Sequence, residues 1–168
     1  MALYKLVVPG QTAGASAVHF DLFNAGSTGV DLNVLSVFPI PSGAVAVTGA
    51  VAVDLYLTRT SAIGTGGTAA TFEGSSLTAA TICAYNNDQP LNAALGITAR
   101  LTPTGGATAG AVIAFRSVFT EETNSGSYTQ YADMVRGWHE DPPLLVKGGT
   151  GIRVVQSSVA SVGVVAWE

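Results

Sequence analysis

The stretch from residue 50 to residue 58 repeats with a period of two and reads Ala50-Val51-Ala52-Val53-Asp54-Leu55-Tyr56-Leu57-Thr58. Alternate residues of a β-strand point to opposite faces of a sheet, so this period places Val51, Val53, Leu55 and Leu57 on one face. Residues 30–38 show the same period. Both stretches therefore predict half-buried strands.

Further segments that favour strands are 17–24, 79–85, 96–101, 111–120, 144–146, 152–156 and 159–167. The segments between them are rich in Gly, Pro, Asn and Ser and predict turns at 24–29, 39–43, 64–68, 105–106 and 148–151. The best helical candidate, 128–135, is short and predicts a loop or a single turn. About nine short strands without βα alternation predict an all-β fold, as a single-domain jelly roll or antiparallel β-sandwich. A barrel is a third possibility.

The length of 168 residues suits one domain, and charged residues make up 11% of the chain, against about 25% in an average soluble domain. The net charge is −4 without basic clusters, so we expect neither nucleic acid nor anionic membrane as a partner. The apolar stretch 44–53 is shorter than the roughly 20 residues of a membrane-spanning helix. Pro9-Gly10 ends the first apolar run too early for a signal peptide. Cys83, the one cysteine, predicts a buried, inert thiol.

The residues with metal-binding chemistry are sparse. The two histidines, His19 and His139, are far apart in sequence, and His-x-His pairs of the cupin type are absent. His139-Glu140-Asp141 offers imidazole and carboxylate donors, but a polar loop closed by Pro142-Pro143 is the favoured interpretation. His19 predicts a strand residue that faces solvent or a sheet edge. We therefore expect no metal and no cofactor.

Sequence motifs typical of other catalytic sites are also absent. The glycine-rich segments 64–68 and 148–151 lack the Lys-Ser/Thr ending of a P-loop, and no serine lies in a Gly-x-Ser-x-Gly elbow. Glu121-Glu122 and Glu140-Asp141 are adjacent pairs, and strand neighbours point to opposite faces. The sequence thus predicts a protein that is not an enzyme, with no catalytic residues and with binding residues unknown.

Aromatic residues leave a carbohydrate site open as an alternative to core packing. The best local candidate is Tyr128-Thr129-Gln130-Tyr131 with Trp138-His139. The other aromatic residues that could stack on a sugar include Tyr56, Phe72, Tyr85 and Trp167.

The low charge also bears on assembly. Seven basic and eleven acidic residues, spread over the roughly 7,700 Å² expected for a chain of this mass, leave about one charge per 430 Å². Much of the exterior must then be Ala, Val, Thr, Ser and Gly. Such a surface favours association, because soluble monomers avoid large apolar patches. We expect a homo-oligomer or a subunit of a larger assembly.

The carboxyl-terminal segments 143–156 and 162–168 resemble the ending of tailed-bacteriophage virion proteins with a jelly-roll domain. In these proteins a Pro-apolar-x-Gly-x-Gly-apolar turn leads into the last two strands, and residues 143–156 carry the similar run here. Segments 51–60 and 64–73 resemble small phage structural proteins. The resemblance covers about two-thirds of the chain through strand and turn patterns of low specificity.

The resemblance implies a head decoration (cement) protein on the capsid surface of the virion, made in the cytoplasm of the host bacterium. The implied partners are the major capsid protein and further copies of the chain, as a homotrimer. Decoration proteins commonly carry a capsid-anchoring arm, and residues 1–17 are either such an arm or a first strand ahead of the domain at 18–168. A receptor- or glycan-binding domain of a phage fibre or spike is the alternative, and a small jelly-roll enzyme is a third possibility.

Overall fold

The computed structural model describes residues 5–26, 29–42, 51–70, 82–83, 90–91, 96–105, 109–120, 133–136 and 142–168. Every regular element in these ranges is a strand, which confirms the all-β class. The strands are β1 (Val8–Thr12), β2 (Val18–Asn24), β3 (Leu32–Val34), β4 (Ser36–Val37), β5 (Pro39–Ser42), β6 (Val51–Thr60), β7 (Thr68–Ala69), β8 (Ile82–Cys83), β9 (Pro90–Leu91), β10 (Ile97–Leu101), β11 (Ala109–Thr120), β12 (Val135–Arg136), β13 (Leu144–Val146), β14 (Thr150–Gln156) and β15 (Val164–Trp167).

The main sheet has six antiparallel strands in the order β11-β6-β14-β2-β10-β7. One face of this sheet, here called the inner face, carries the apolar side chains that the period of two predicts. Leu57 of β6 lies opposite Val154 of β14, and Val154 lies opposite Phe20 of β2. All three side chains are buried, and this row forms the centre of the core.

A second sheet of three strands, in the order β1-β15-β5, packs on the inner face. Its central strand, β15, ends at Trp167, which is 1% exposed and whose ring lies 5.7 Å from that of Phe20 on the main sheet. Short two-stranded pairs complete the described fold: β12 with β4, β13 with β3, and β8 with β9. Antiparallel sheets packed face to face form a β-sandwich. A jelly roll usually has eight strands divided between its two sheets, whereas the two sheets described here have six and three strands. The jelly roll therefore stays a prediction.

Several predicted strands are confirmed. Residues 144–146 coincide with β13, and 96–101, 111–120 and 152–156 each match an observed strand to within two residues. Among the predicted turns, five described glycines adopt the positive φ that these segments were expected to supply: Gly26, Gly29, Gly66, Gly67 and Gly149.

The turn predicted at 39–43 is wrong for Pro39–Ser42, which forms β5 at the edge of the smaller sheet. Phe38 and Glu168 exchange two backbone hydrogen bonds, of 2.8 and 3.0 Å. Antiparallel residues alternate between hydrogen-bonded and non-bonded pairs. Pro39 and Pro41 therefore occupy the positions whose nitrogen faces away from β15, where a missing N–H is tolerated on an edge strand.

Two other predicted strands differ from the structure. Residues 30–38 form two short strands, because β3 pairs with β13 whereas β4 pairs with β12. The strand predicted at 159–167 begins only at Val164, after Gly163 with φ of 125°. In the turn predicted at 64–68, Thr68 already belongs to β7. Local alternation does not show where a strand changes partner.

The remaining predictions fall partly outside the described residues. Within the segment 1–17, Val8–Thr12 form β1, which pairs with β15. In the segment 128–135, residues 128–132 lie outside the described ranges, Asp133 and Met134 are not helical, and Val135 begins β12. Cys83 lies in β8. Its side chain is not among the described parts of the structure, so burial of the thiol stays a prediction. The described ranges contain no helix long and apolar enough to cross a membrane.

Candidate functional site

A row of polar side chains crosses the outer face of the main sheet, opposite the core. Asp21 of β2 lies directly between Arg100 of β10 and Arg153 of β14, and Arg153 lies opposite Thr58 of β6. Residues opposite one another in an antiparallel pair share a face. Two guanidinium groups and one carboxylate are therefore brought together by three adjacent strands.

Asp21 is completely buried within this row. Its Oδ2 accepts a hydrogen bond of 2.7 Å from the backbone N–H of Gly64, in the loop after β6. Its Oδ1 has no hydrogen-bond partner among the described residues. Burial raises the pKa of the Asp21 carboxyl, while the bond from Gly64 and the charges of Arg153 and Arg100 oppose that rise. The Asp21 carboxylate thus connects the loop after β6 to the main sheet through a hydrogen bond.

Gly64 is suited to this contact because it has no side chain. A Cβ atom at this position would lie 2.6 Å from Asp21 Oδ2 and 2.6 Å from the Cβ of Pro103. Any other residue would push the loop away from the carboxylate. The close approach of backbone to Asp21 explains a glycine that the sequence had suggested only as part of a turn.

A cleft of about 480 Å³ lies beside Arg153 on this outer face. Three separate segments build it: the turn before β2, the loop after β10, and Arg153 itself. The lining residues are Ser16, Ala17, Val18, Thr102, Pro103, Thr104, Gly105 and Arg153. The cleft therefore combines hydroxyl groups, small apolar groups and one guanidinium.

Two residues of the cleft, Ser16 and Thr102, have positive φ values of 56° and 44°. They are the two non-glycine residues with positive φ in the described ranges. Each is held by a backbone bond, since the Ser16 N–H donates to Ser157 O at 2.8 Å and the Thr102 N–H donates to His19 O at 3.0 Å. Such conformations cost roughly 1–3 kcal/mol and cluster at functional sites. Both residues line one cleft, which marks it as a candidate binding site.

A second surface feature lies on β11, an edge strand of the main sheet in the described fold. Val112, Ile113 and Phe115, here called the β11 patch, are 58%, 37% and 44% exposed. The pairing of β11 with β6 is irregular on both sides of Val112. Phe115 lies opposite Tyr56, with their ring centres 5.1 Å apart. The β11 patch is a run of large apolar side chains in contact with solvent.

The structure corrects the prediction for His19, which neither faces solvent nor lies at a sheet edge. The side chain is 1% exposed, and its Nδ1 accepts a hydrogen bond of 3.2 Å from Trp167 Nε1. Burial of the imidazole lowers the pKa of His19 to about 4, and a side-chain hydrogen bond with Gln156 offsets part of this lowering. An irregularity in the pairing of β2 with β14, between Val154 and Val155, lies beside His19. This shift turns the imidazole toward the core, which a period of two cannot predict.

Most of the other candidate residues lie outside the described ranges: His139, Glu140, Asp141, Glu121, Glu122, Tyr128, Tyr131, Trp138, Phe72 and Tyr85. Of the aromatic candidates that are described, Trp167 belongs to the core and Tyr56 is half-buried beside Phe115. In the part of the chain that the structure describes, no group of three His, Cys, Asp or Glu residues is placed to hold a metal ion.

Asp21 and Arg153 were missed by the sequence analysis. The available signal was an acidic and a basic residue inside segments otherwise typical of strands, at Asp21 in 17–24 and at Arg153 in 152–156. Either charge alone is compatible with a solvent-exposed strand face. Their proximity depends on the pairing of β2 with β14, which joins residues 132 positions apart.

Comparison of the chain with protein-family models, with characterised proteins and with solved structures gave no match. Any functional assignment therefore rests on the residues of this chain.

Proposed function

We propose that the protein is a non-enzymatic virion structural protein, of the head decoration (cement) type, that stabilises the capsid of a tailed bacteriophage. It forms a homotrimer and bridges neighbouring major capsid subunits on the virion surface. Two considerations support this proposal: the resemblance of segments 143–156 and 162–168 to such virion proteins, and a surface suited to association.

The observation that carries the self-association is the β11 patch. Phe115 is 44% exposed and Val112 is 58% exposed, on a chain with few charges to keep copies apart. Removing apolar surface from water is worth about 25 cal/mol per Å². Large apolar side chains grouped on one strand therefore favour a contact with a further copy of the chain.

The mechanism of a decoration protein is multivalent binding. When several linked copies each hold one capsid subunit, separation of the subunits requires all these contacts to break at nearly the same time. Individual contacts are then weak while the assembly is strong. A trimer supplies three such contacts without any catalytic residue.

The first test is the mass of the purified protein, measured by size-exclusion chromatography with light scattering at low and at high salt. We expect about 51 kDa, three times the 17.0 kDa chain, at both salt concentrations, because salt screens charges and does not weaken apolar burial. A 17 kDa species at micromolar concentration contradicts self-association of the free protein. A cryo-EM map of the particle then tests the location, since a decoration protein is present in hundreds of copies.

Receptor or glycan binding at a fibre tip is the second candidate, and it has one observation in its favour. The rings of Tyr56 and Phe115 lie 5.1 Å apart and Phe115 is exposed, and aromatic faces of this kind stack on sugars. Copy number separates the two functions, because a fibre tip is present in few copies per particle.

A further inference from the structure

A row of apolar side chains crosses the outer face of the main sheet beside the β11 patch. Phe115 lies opposite Tyr56 of β6, and Tyr56 lies opposite Val155 of β14. Val155 in turn lies opposite Val18 of β2. Tyr56, Val155 and Val18, here called the outer apolar row, are all half-buried. The outer apolar row therefore continues the exposed surface of Phe115 across three further strands.

Polar groups flank the outer apolar row on both sides. On one side, the Ser117 hydroxyl donates a hydrogen bond to the Asp54 carboxylate. On the other side, Asp21 is completely buried and accepts the hydrogen bond from Gly64. Covering polar groups that are paired or already buried costs little, whereas covering unpaired ones is expensive. A protein surface can therefore cover the outer apolar row without a large desolvation penalty.

The β11 patch alone is too small for a stable contact between copies. Its three side chains are between 37% and 58% exposed. At roughly 150–250 Å² for a large side chain, their exposed parts offer on the order of 300 Å², whereas a stable interface buries about 800 Å² on each partner. Interfaces between identical subunits are also especially apolar. The contact must therefore include further apolar surface, and the outer apolar row is continuous with the patch.

We infer that the β11 patch of one copy packs against the outer apolar row of a neighbouring copy. Because the patch and the row are different surfaces, the contact is head-to-tail, and such contacts can close into a ring. In a trimeric ring every patch covers a row, so neither surface stays in water. The row has no charged side chain, which suits an uncharged patch. The inference rests on the self-association in the proposed function and names the two surfaces that meet.

The first test measures how fast a maleimide reagent reacts with a thiol placed in the row. Val155→Cys is made in a Cys83→Ser background, with and without Phe115→Asp, which should give monomer and trimer for comparison. We expect the thiol to react about tenfold or more slowly in the trimer, because the centre of an interface excludes water. The control is Val30→Cys, at a 38% exposed side chain between β2 and β3. This thiol should react equally fast in both.

The second test mixes two variants that each lack one surface. Phe115→Asp disrupts the patch and Val155→Lys disrupts the row, so each variant alone should be a 17 kDa monomer. In an equal mixture, the intact row of the first can bind the intact patch of the second. We expect a complex of about 34 kDa, twice the 17.0 kDa chain, by light scattering. If Val155→Lys fails to fold, Val18→Lys disrupts the same row.

The outcomes separate this inference from the proposed function. A wild type of 17 kDa would overturn the self-association and the inference together. A trimeric wild type whose Val155→Cys thiol reacts as fast as in the monomer would overturn the inference alone. Protection of that thiol only on capsid particles would assign the row to the capsid subunit in place of a second copy. A mixture of monomeric variants that stays at 17 kDa would overturn the head-to-tail contact.

Discussion

Trp167 of β15 donates its indole N–H to Nδ1 of His19 on β2, across 3.2 Å in the interior. The two rings meet edge to face, with centres 5.6 Å apart and an interplanar angle of 79°. This hydrogen bond joins the smaller sheet to the main sheet. Because Nδ1 is the acceptor, the imidazole must be neutral and carry its proton on Nε2.

The first prediction concerns acid stability. Burial lowers the pKa of His19 from 6.5 to about 4, so the unfolded chain binds a proton that the folded protein excludes. The stabilisation by neutral His19 is complete above pH 6.5 and is lost as pH falls from 6.5 to about 4. We expect this loss to reach about 3 kcal/mol by pH 4. Urea unfolding at a series of pH values measures it.

Carboxyl groups also titrate toward pH 4, so the measurement needs a matched variant. His19→Asn keeps an acceptor near the position of Nδ1 but does not titrate in this range. The difference in unfolding free energy between wild type and His19→Asn should narrow by about 3 kcal/mol between pH 7 and pH 4. A difference that stays constant with pH would show that His19 does not contribute.

The second prediction compares two glycines with similar positive φ. A Cβ at Gly67, with φ of 65°, would lie 2.1 Å from Leu101 O, whereas a Cβ at Gly149, with φ of 77°, would meet nothing within 4 Å. Gly149→Ala adds only backbone strain, about 1 kcal/mol, and Gly67→Ala adds a clash as well, for about 3 kcal/mol or more in total. Thermal unfolding of both variants checks this order, and equal losses would contradict the close contact at Gly67.

The third prediction separates the two roles of Asp21. Asp21→Ala removes both the acceptor for the Gly64 N–H and the charge between Arg153 and Arg100, and should cost about 2–4 kcal/mol. Asp21→Asn keeps an acceptor and should cost less. Urea unfolding at pH 7 compares the variants, and equal losses for Asn and Ala would assign the effect to the charge alone.

The raised pKa of Asp21 gives this comparison a pH dependence. Its ionised form is the less favourable one in the folded protein, so the contribution of Asp21 is greatest below the unfolded pKa and decreases as pH rises through the folded value. Wild type should therefore lose stability relative to Asp21→Asn as pH rises through that range. Parallel unfolding curves would contradict the shift.

The fourth prediction concerns the β11 patch. Phe115→Asp places a charge in the proposed contact between copies, so in place of the proposed trimer we expect a 17 kDa monomer with an unchanged β-sheet circular dichroism spectrum. The control is Val159→Asp, which adds the same charge at a side chain that is 68% exposed outside the strands. The control should remain trimeric. Oligomers that persist in Phe115→Asp would exclude this patch as the interface.

Local patterns predicted much of the main sheet because they report which side chains share a face. Val53, Leu55 and Leu57 are all buried, as their alternation requires. The pattern failed where pairing partners change, as between β3 and β4, and at Pro39–Ser42, where two prolines were typical of a turn. A proline is acceptable in a strand when its nitrogen faces away from the partner, and this depends on register.

Sequence alone determined the all-β class, the inward faces of the main strands and many of the turns, because alternation and turn chemistry act over a few residues. Tertiary structure alone decided that Trp167 meets His19, 148 residues away, and that Ser16, Thr102 and Arg153 line one cleft. A period of two specifies the face of each side chain but not the neighbouring strand or its register. Those are chosen by the packing of all the strands together, so sites assembled from several strands become visible only in the folded chain.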